Sequence, residues 1–485
     1  MAAEAQVPAA GPANPLLIGG DWVASTGDGA LVVTDPFTGG VVGSAPRGTA
    51  ADVDRAVAAA RRAFIAGDWV AASAARRAEH LRALADAWER RGDELAELVT
   101  SEMGQHAALS LGNAVGPPRV LRYYAELADR LVEEEVRPKL LSDSATIVRR
   151  EPVGVVGMII PWNYPLSLLV SKLAPALAAG CTAVVKPAEE TPLSALLVGE
   201  LCIEAGFPPG VVNVVTGGRQ TGAELVAHRG VDKIAFTGST EAGRAIAREC
   251  AERLRPVSLE LGGKSAAVVL SDADPAQVVP HLRMRSFANA GQTCFLLSRV
   301  LVPRDRLEEY VAALTDAAES IRVGDPRHPD TEMGPLVSER IRARVAALVD
   351  EARREGADIR TGGAYANGPG HGYLPTVITG VDPSSRIAQE EVFGPVVVVL
   401  GHDGEEDALR IANDSRYGLG GAVFSADEAR AIAFARRMET GTVGINSYSP
   451  DLTAPFGGYK DSGMGRENGP EALDQYRMYK SIYLP

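Results

Sequence analysis

The stretch Phe287-Ala288-Asn289-Ala290-Gly291-Gln292-Thr293-Cys294-Phe295 sets a thiol behind a run of small residues. Such a run lets the backbone turn sharply, which brings a sulfur and its own N–H close to a substrate atom. Two readings of Cys294 are open from this stretch alone. It is a nucleophile, or it is a small buried apolar residue, which is the common fate of a free cysteine in a soluble protein.

The elements that would have to position it come from a chain of 485 residues, longer than one hydrophobic core usually serves, so two or three domains are expected. Lys and Arg number 49 against 62 Asp and Glu, a formal charge of −13, which argues against nucleic-acid and anionic-membrane partners. The cysteines Cys181, Cys202, Cys250 and Cys294 lie far apart, with no C-x-x-C pair and no histidine spaced as in a metal site. No metal is expected, and reduced thiols suit a cytoplasmic protein. Residues 1–15 lack a basic start and an apolar core, so they read as a disordered lead-in rather than a secretory signal. The most apolar long segment, 166–185, is interrupted by Lys172, Pro175 and Gly180, so no membrane span is expected.

Between Ala51 and Leu131, apolar residues recur at helical spacing, as in Val53, Val57, Ala60 and Phe64, or Leu81, Leu84 and Trp88. Residues 136–151 alternate polar and β-branched types, which predicts an exposed ribbon able to pair with another subunit. From Val153, short apolar runs (155–160, 182–186, 211–215, 233–236) alternate with helical stretches, the pattern of a parallel sheet with ligands at the carboxyl ends of its strands. A second series begins near Ala266, with strands at 298–302, 396–400, 422–424 and 442–446 and helices at 304–321, 338–354 and 405–413. The fold class expected is α/β, with two parallel-sheet domains and a small β element.

No G-x-G-x-x-G string occurs in the chain. Gly263-Lys264-Ser265 resembles the end of a P-loop, but Ser258 stands where its first glycine is required. Gly463-Met464-Gly465 reads as a glycine-rich turn. Phe236-Thr237-Gly238-Ser239-Thr240-Glu241-Ala242-Gly243 follows an apolar run and opens a helix, so it either receives a pyrophosphate or simply caps the helix.

Further strings stand in order around Cys294: Pro161-Trp162-Asn163-Tyr164-Pro165, Lys186-Pro187-Ala188-Glu189, Leu259-Glu260-Leu261-Gly262-Gly263-Lys264, Glu390-Glu391-Val392-Phe393-Gly394-Pro395 and Pro455-Phe456-Gly457-Gly458. With them the chain resembles the NAD(P)-dependent aldehyde dehydrogenase superfamily from about Leu17 to its end. The resemblance implies that Cys294 attacks an aldehyde carbon, aided by a nearby base or N–H dipoles that ionise the thiol. It implies that Asn163 and the Cys294 N–H hydrogen-bond the oxyanion, and that Glu260 activates water to hydrolyse a thioester, with Gly262 and Gly263 leaving room for that carboxylate. Members that acylate coenzyme A, the alternative function, commonly lack that glutamate.

Cofactor contacts implied by the resemblance are Trp162, Lys186, Glu189, Gly238, Ser239, Glu391 and Phe393. A carboxylate at Glu189 accepts ribose hydroxyls and repels a 2′-phosphate, so NAD is expected ahead of NADP. An aldehyde tunnel is implied at Tyr164, Leu168, Ser171, Phe295, Tyr448 and Phe456, an apolar and aromatic surface without a full cation cage. Arg299, inside a strand, reads as structural or solvated rather than as a substrate ligand. The domains expected are a nucleotide-binding unit of residues 1–128 and 152–263, a catalytic unit of 264–470, and a bridging element of 129–151 and 471–485 that makes a homodimer or homotetramer. Gly291 is expected to lend flexibility, letting the thiol alternate between attack and retreat.

Overall fold

A computed structural model describes residues 15–66 and 68–485. The lead-in expected at the N-terminus lies almost wholly outside the described residues. The chain starts with β1 (Leu16–Ile18) and β2 (Asp21–Val23), followed by the helices α1 (Ala50–Ala66), α2 (Ala74–Arg90), α3 (Gly92–Met103) and α4 (Gly112–Asp129). Then come the ribbon strands β3 (Glu134–Pro138) and β4 (Ala145–Pro152). An α/β series follows: β5 (Val155–Ile160), α5 (Pro165–Ala179), β6 (Thr182–Pro187), α6 (Pro192–Glu204), β7 (Val212–Val214), α7 (Arg219–Ala227), β8 (Lys233–Thr237), α8 (Thr240–Ala251) and β9 (Val257–Glu260).

A second series runs from β10 (Ser265–Val269) through α9 (Pro275–Phe287), β11 (Leu297–Pro303), α10 (Leu307–Glu319), α11 (Glu339–Arg354), β12 (Asp358–Thr361), β13 (Thr376–Thr379) and β14 (Val396–His402). It continues with α12 (Glu405–Asn413), β15 (Gly421–Phe424), α13 (Glu428–Ala435) and β16 (Gly444–Ile445), and the chain closes with β17 (Gly463–Met464) and β18 (Arg477–Tyr483).

Eight strands form the first sheet in the order β2-β1-β7-β6-β5-β8-β9-β17. Its five central strands are parallel and buried on both faces, which is why they read as unbroken apolar runs. From β5 the chain builds outward through β6 and β7, then returns to lay β8 on the other side of β5. That reversal opens a crevice at the strands' carboxyl ends. The second sheet has the order β12-β13-β14-β11-β10-β15-β16 and is parallel except at β12. The third, β18-β4-β3, is the ribbon expected near residues 136–151, with the C-terminal strand added to it.

Two sequence expectations give way. Gly463-Met464 is not a free turn: it pairs antiparallel with Leu259 and Glu260, closing the edge of the first sheet. Gly463 has φ +133, and an added Cβ there would lie 1.9 Å from the Leu259 carbonyl oxygen, so glycine is needed for that close approach. The strand expected at 442–446 shortens to Gly444–Ile445.

Candidate active site

Cys294 stands at the amino end of β11, and the residues expected around it stand at the carboxyl ends of the first sheet, Asn163 and Tyr164 beyond β5 and Glu260 at the end of β9. The stretch before Cys294 is closely hydrogen-bonded. Asn289, Ala290 and Gly291 have φ of 53°, 54° and 75°, three consecutive left-handed residues. Asn289 donates to the Asn163 carbonyl (3.0 Å), and the Gln292 side chain bridges from the Asn289 carbonyl (3.0 Å) to the Val337 N–H (2.9 Å). At Gly291 a tight backbone approach also requires glycine. A Cβ there would lie 1.9 Å from the carbonyl carbon and oxygen of Gly394, so the glycine is needed for the two backbones to touch.

Asn163 is buried, and its Nδ2 donates to the Gln292 carbonyl at 3.0 Å. One N–H of that amide is thereby fixed, and the other is free to donate to a substrate oxygen beside the thiol. The N–H groups of Cys294 and Phe295 favour a thiolate, as expected of N–H dipoles, but burial and the carboxylates of Glu391 and Glu260 outweigh them. The thiol is pushed well above its ordinary range, contrary to the expectation of an eased ionisation.

Glu260 is buried, and neither carboxylate oxygen has a hydrogen-bond partner. Burial first, and then the charge of Glu467, raise it well above the usual carboxylate range, with Lys172 and Arg466 pulling the other way. Gly262 and Gly263 do not make its room. A Cβ on Gly262 would lie 2.3 Å from Glu391 Oε2, and one on Gly263 would lie 2.4 Å from the Cys294 carbonyl oxygen. The residue that leaves space at Glu260 is Gly457, whose added Cβ would lie 2.7 Å from Oε1.

Phe295 meets Tyr448 and Phe456 edge-on, with ring centroids 5.6 and 5.9 Å apart. Tyr164 shares a hydrogen bond with Thr293 (2.9 Å), and Leu168 follows on the first turn of α5. Ser171 departs from the expectation. It is buried, and its hydroxyl donates to the Leu168 carbonyl (3.1 Å) and to Glu467 (3.0 Å), so it belongs to the carboxylate side of the site. Arg299 is structural: fully buried, it donates at 2.9 Å to the carbonyls of Lys264, Ile411 and Ala412.

At the carboxyl ends of β5, β6 and β8 the residues suit a dinucleotide. The Lys186 ammonium donates to the carbonyls of Pro187 (2.6 Å) and Gly217 (2.7 Å), which leaves its third proton for a ligand. Burial lowers it to about 8. Ser239 caps α8 by accepting from the Ala242 N–H (3.3 Å), and Gly238 lies directly before it. Capping and phosphate contact are compatible there, because the remaining first-turn N–H groups stay free. Across the crevice, Glu391 accepts from the Gly263 N–H (3.0 Å) and is raised by burial to about 7. Phe393, with φ +59, sets its ring edge-on to Trp162 at 5.4 Å.

The aldehyde dehydrogenase family model matches residues 22–482. This chain belongs to the aldehyde dehydrogenase family. It is 50% identical to geranial dehydrogenase of Castellaniella defragrans over 471 residues, 97% of this chain and 98% of that protein. A Mycobacterium tuberculosis aldehyde dehydrogenase complexed with NAD+ superposes with a TM-score of 0.96 at 44% identity, covering 98% of this chain and 99% of that one. A Staphylococcus aureus betaine aldehyde dehydrogenase in complex with NAD+ gives 0.95 at 40% identity, with 97% and 94% covered.

In this aldehyde dehydrogenase the structure adds residues that the sequence motifs did not mark. Lys172, buried on α5, is hydrogen-bonded to Glu467 and donates to Thr237 at 2.5 Å. The Lys172–Glu467 pair lies close enough to Glu260 to act on its charge, second to burial. Lys172 and Glu467 stand 295 positions apart, so only the invariably costly burial of charged side chains could have drawn attention to them in the sequence. Among the described residues no His, Cys, Asp and Glu group is arranged to hold a metal, and no helix is long and apolar enough to cross a membrane.

Proposed function

We propose that this chain oxidises a neutral, apolar aldehyde to its carboxylic acid with NAD, through a covalent intermediate on Cys294. The observation that carries the reading is the convergence of one thiol, one anchored amide and one unpartnered buried carboxyl at the meeting of the two sheets. Cys294 Sγ attacks the aldehyde carbon, and the new oxyanion accepts from the free Asn163 N–H and the Cys294 N–H, a contribution of about 10²–10³ in rate per donor. Bound NAD supplies the acceptor for the hydride that leaves this carbon. Lys186 and Glu189 would hold the adenosine ribose, Gly238 and Ser239 the pyrophosphate, and Glu391, Phe393 and Trp162 the nicotinamide end.

The resulting thioester is hydrolysed by a water whose proton Glu260 takes up. Lys172 and Glu467 act on that carboxyl through their charges, the first favouring its ionised form and the second opposing it. Transfer to coenzyme A is disfavoured, since it would leave the Glu260 carboxyl without a task. The aromatic wall of Phe295, Tyr448 and Phe456, with Tyr164 and Leu168, and the likeness to geranial dehydrogenase support an apolar substrate.

The same reading divides the chain into a nucleotide-binding unit (1–128 and 152–263), a catalytic unit (264–470) and a bridging element (129–151 and 471–485). The bridging ribbon exposes Val136 and Ile482 on one face, Tyr479 and Tyr483 on the other, and Leu140 and Leu141 between its strands, apolar surface suited to a homodimer or homotetramer. A cytoplasmic site of action accords with four cysteines that are all free.

A panel of aldehydes graded in length and charge, followed by NADH absorbance, tests the proposal. Turnover should favour apolar members and vanish in Cys294→Ala. Wild-type turnover by that variant would overturn the assignment.

A further inference from the structure

Two buried cations share a part of the molecule that the proposed mechanism does not use. Lys264 and Arg299 are each 2% exposed, and neither enters an ion pair among the described residues. Charges are costly to take from water and are as a rule paired when buried. Arg299 spends its donors on neutral groups, the carbonyls of Lys264, Ile411 and Ala412, each at 2.9 Å. Among the described residues the Lys264 ammonium has no hydrogen-bond partner, and neither has the hydroxyl of the next residue, Ser265, which is 4% exposed.

These three side chains line one cavity at the amino ends of β10, β11 and β15, where Ser265 stands opposite Leu297 and Ala266 opposite Arg299. Its volume is about 10 Å³, room for one water-sized particle. The carboxylates around it are turned elsewhere. Glu439 lines the cavity but pairs with Lys460 at 2.7 Å. Glu391 accepts from the Gly263 N–H (3.0 Å), Glu390 pairs with Arg386 (3.2 Å), and the exposed Asp414 acts on Arg299 only through its charge. Burial first, and then the charge of Arg299, depress Lys264 to about 7, with Glu391 and Glu390 opposing. A negative charge between the two cations would offset both.

Size and donors bound the occupant. Carboxylates, phosphate and sulfate each carry several heavy atoms, too many for a cavity of one particle. A monatomic anion fits, and it needs only donors, which the ammonium, the hydroxyl and the guanidinium supply. A water would leave both positive charges uncompensated. We propose that Lys264, Ser265 and Arg299 form a buried halide site, which holds one chloride ion and stabilises the folded chain. The assignment is independent of what the active site oxidises.

Thermal unfolding of the full-length protein tests it below pH 7, where the Lys264 ammonium is charged. Potassium chloride replaces potassium gluconate at constant ionic strength, gluconate being too large to enter the cavity. The melting temperature of wild type should rise by about 2 °C and saturate. Lys264→Met, more stable than wild type in gluconate, should show no such rise, so that its lead narrows as chloride is added. Ser265→Ala should need about tenfold more chloride for half the rise, the loss of one hydrogen bond to a charged group. Crystals soaked in bromide should give an anomalous peak within hydrogen-bond reach of Lys264 Nζ and Ser265 Oγ, which decides the question even where a variant fails to fold. No chloride response in wild type, an equal response in Lys264→Met, or bromide-soaked crystals with water alone in the cavity overturns the proposal.

Discussion

Replacing Gly291 with alanine adds one methyl group three residues before the sulfur and nothing else. Its Cβ would lie 1.9 Å from the carbonyl carbon and oxygen of Gly394 and 2.4 Å from the Pro395 nitrogen, where 3.0 Å is the closest that real Cβ contacts come. The two segments must therefore part by at least about 1.1 Å, and the obstacle is backbone, which has no rotamer to yield. Gly394 has no room to retreat, since a Cβ on it would already meet Val345 at 2.5 Å. A left-handed alanine at φ +75 adds about 1–2 kcal/mol of its own. Misplacing a reacting atom by about 1 Å costs on the order of 10²-fold in rate. Steady-state turnover at saturating NAD and aldehyde should fall by about that factor, with a lowered melting temperature and 5′-AMP binding retained. Turnover within tenfold of wild type would refute the account of a catalytic loop placed by this backbone contact.

Two further substitutions test the buried charges. Because the Glu260 carboxyl is raised well above its usual range, it becomes a base only as pH climbs, and turnover should rise with pH over a range above that of an ordinary carboxylate. Glu467→Gln removes the neighbouring negative charge and frees the charge of Lys172, so the midpoint of that rise should move to lower pH; no movement, or an upward one, contradicts the coupling. Burial depresses Lys264, whose ammonium has no hydrogen-bond partner, from its ordinary 10.5 to about 7. Below pH 7 the folded protein carries that buried charge at full cost, and the cost fades as pH rises toward 10.5. Lys264→Met should accordingly be most stabilising below pH 7 and lose its advantage by pH 10.5, as read by denaturant unfolding across pH; a constant difference would show that Lys264 titrates alike in the folded and unfolded chain, so that burial does not depress it.

The parallel strands and the motifs around Cys294 were legible because their signals are local. A strand buried on both faces must be an unbroken apolar run, as at Val155–Ile160, and a motif such as Glu260-Leu261-Gly262-Gly263 keeps its residues adjacent. What escaped the sequence depends on approaches between distant segments. Gly291 read only as a source of flexibility, because nothing near it in the sequence announces the Gly394 backbone packed against it. Ser171 read as a tunnel wall because nothing in its neighbourhood announces Glu467. Gly463-Met464 read as a turn because two residues carry no period, although they complete a sheet. The glycine pair after Glu260 was given the right function, making room, for the wrong occupant.

The central claim, that Cys294 carries the substrate covalently and Glu260 releases it, is tested most directly by intact mass spectrometry of Glu260→Gln mixed with NAD and an apolar aldehyde. The account predicts one acyl group per chain, located on the peptide containing Cys294 and persisting for many wild-type turnover times. An unmodified chain that still forms NADH at the wild-type rate, or an adduct on any other residue, would contradict it.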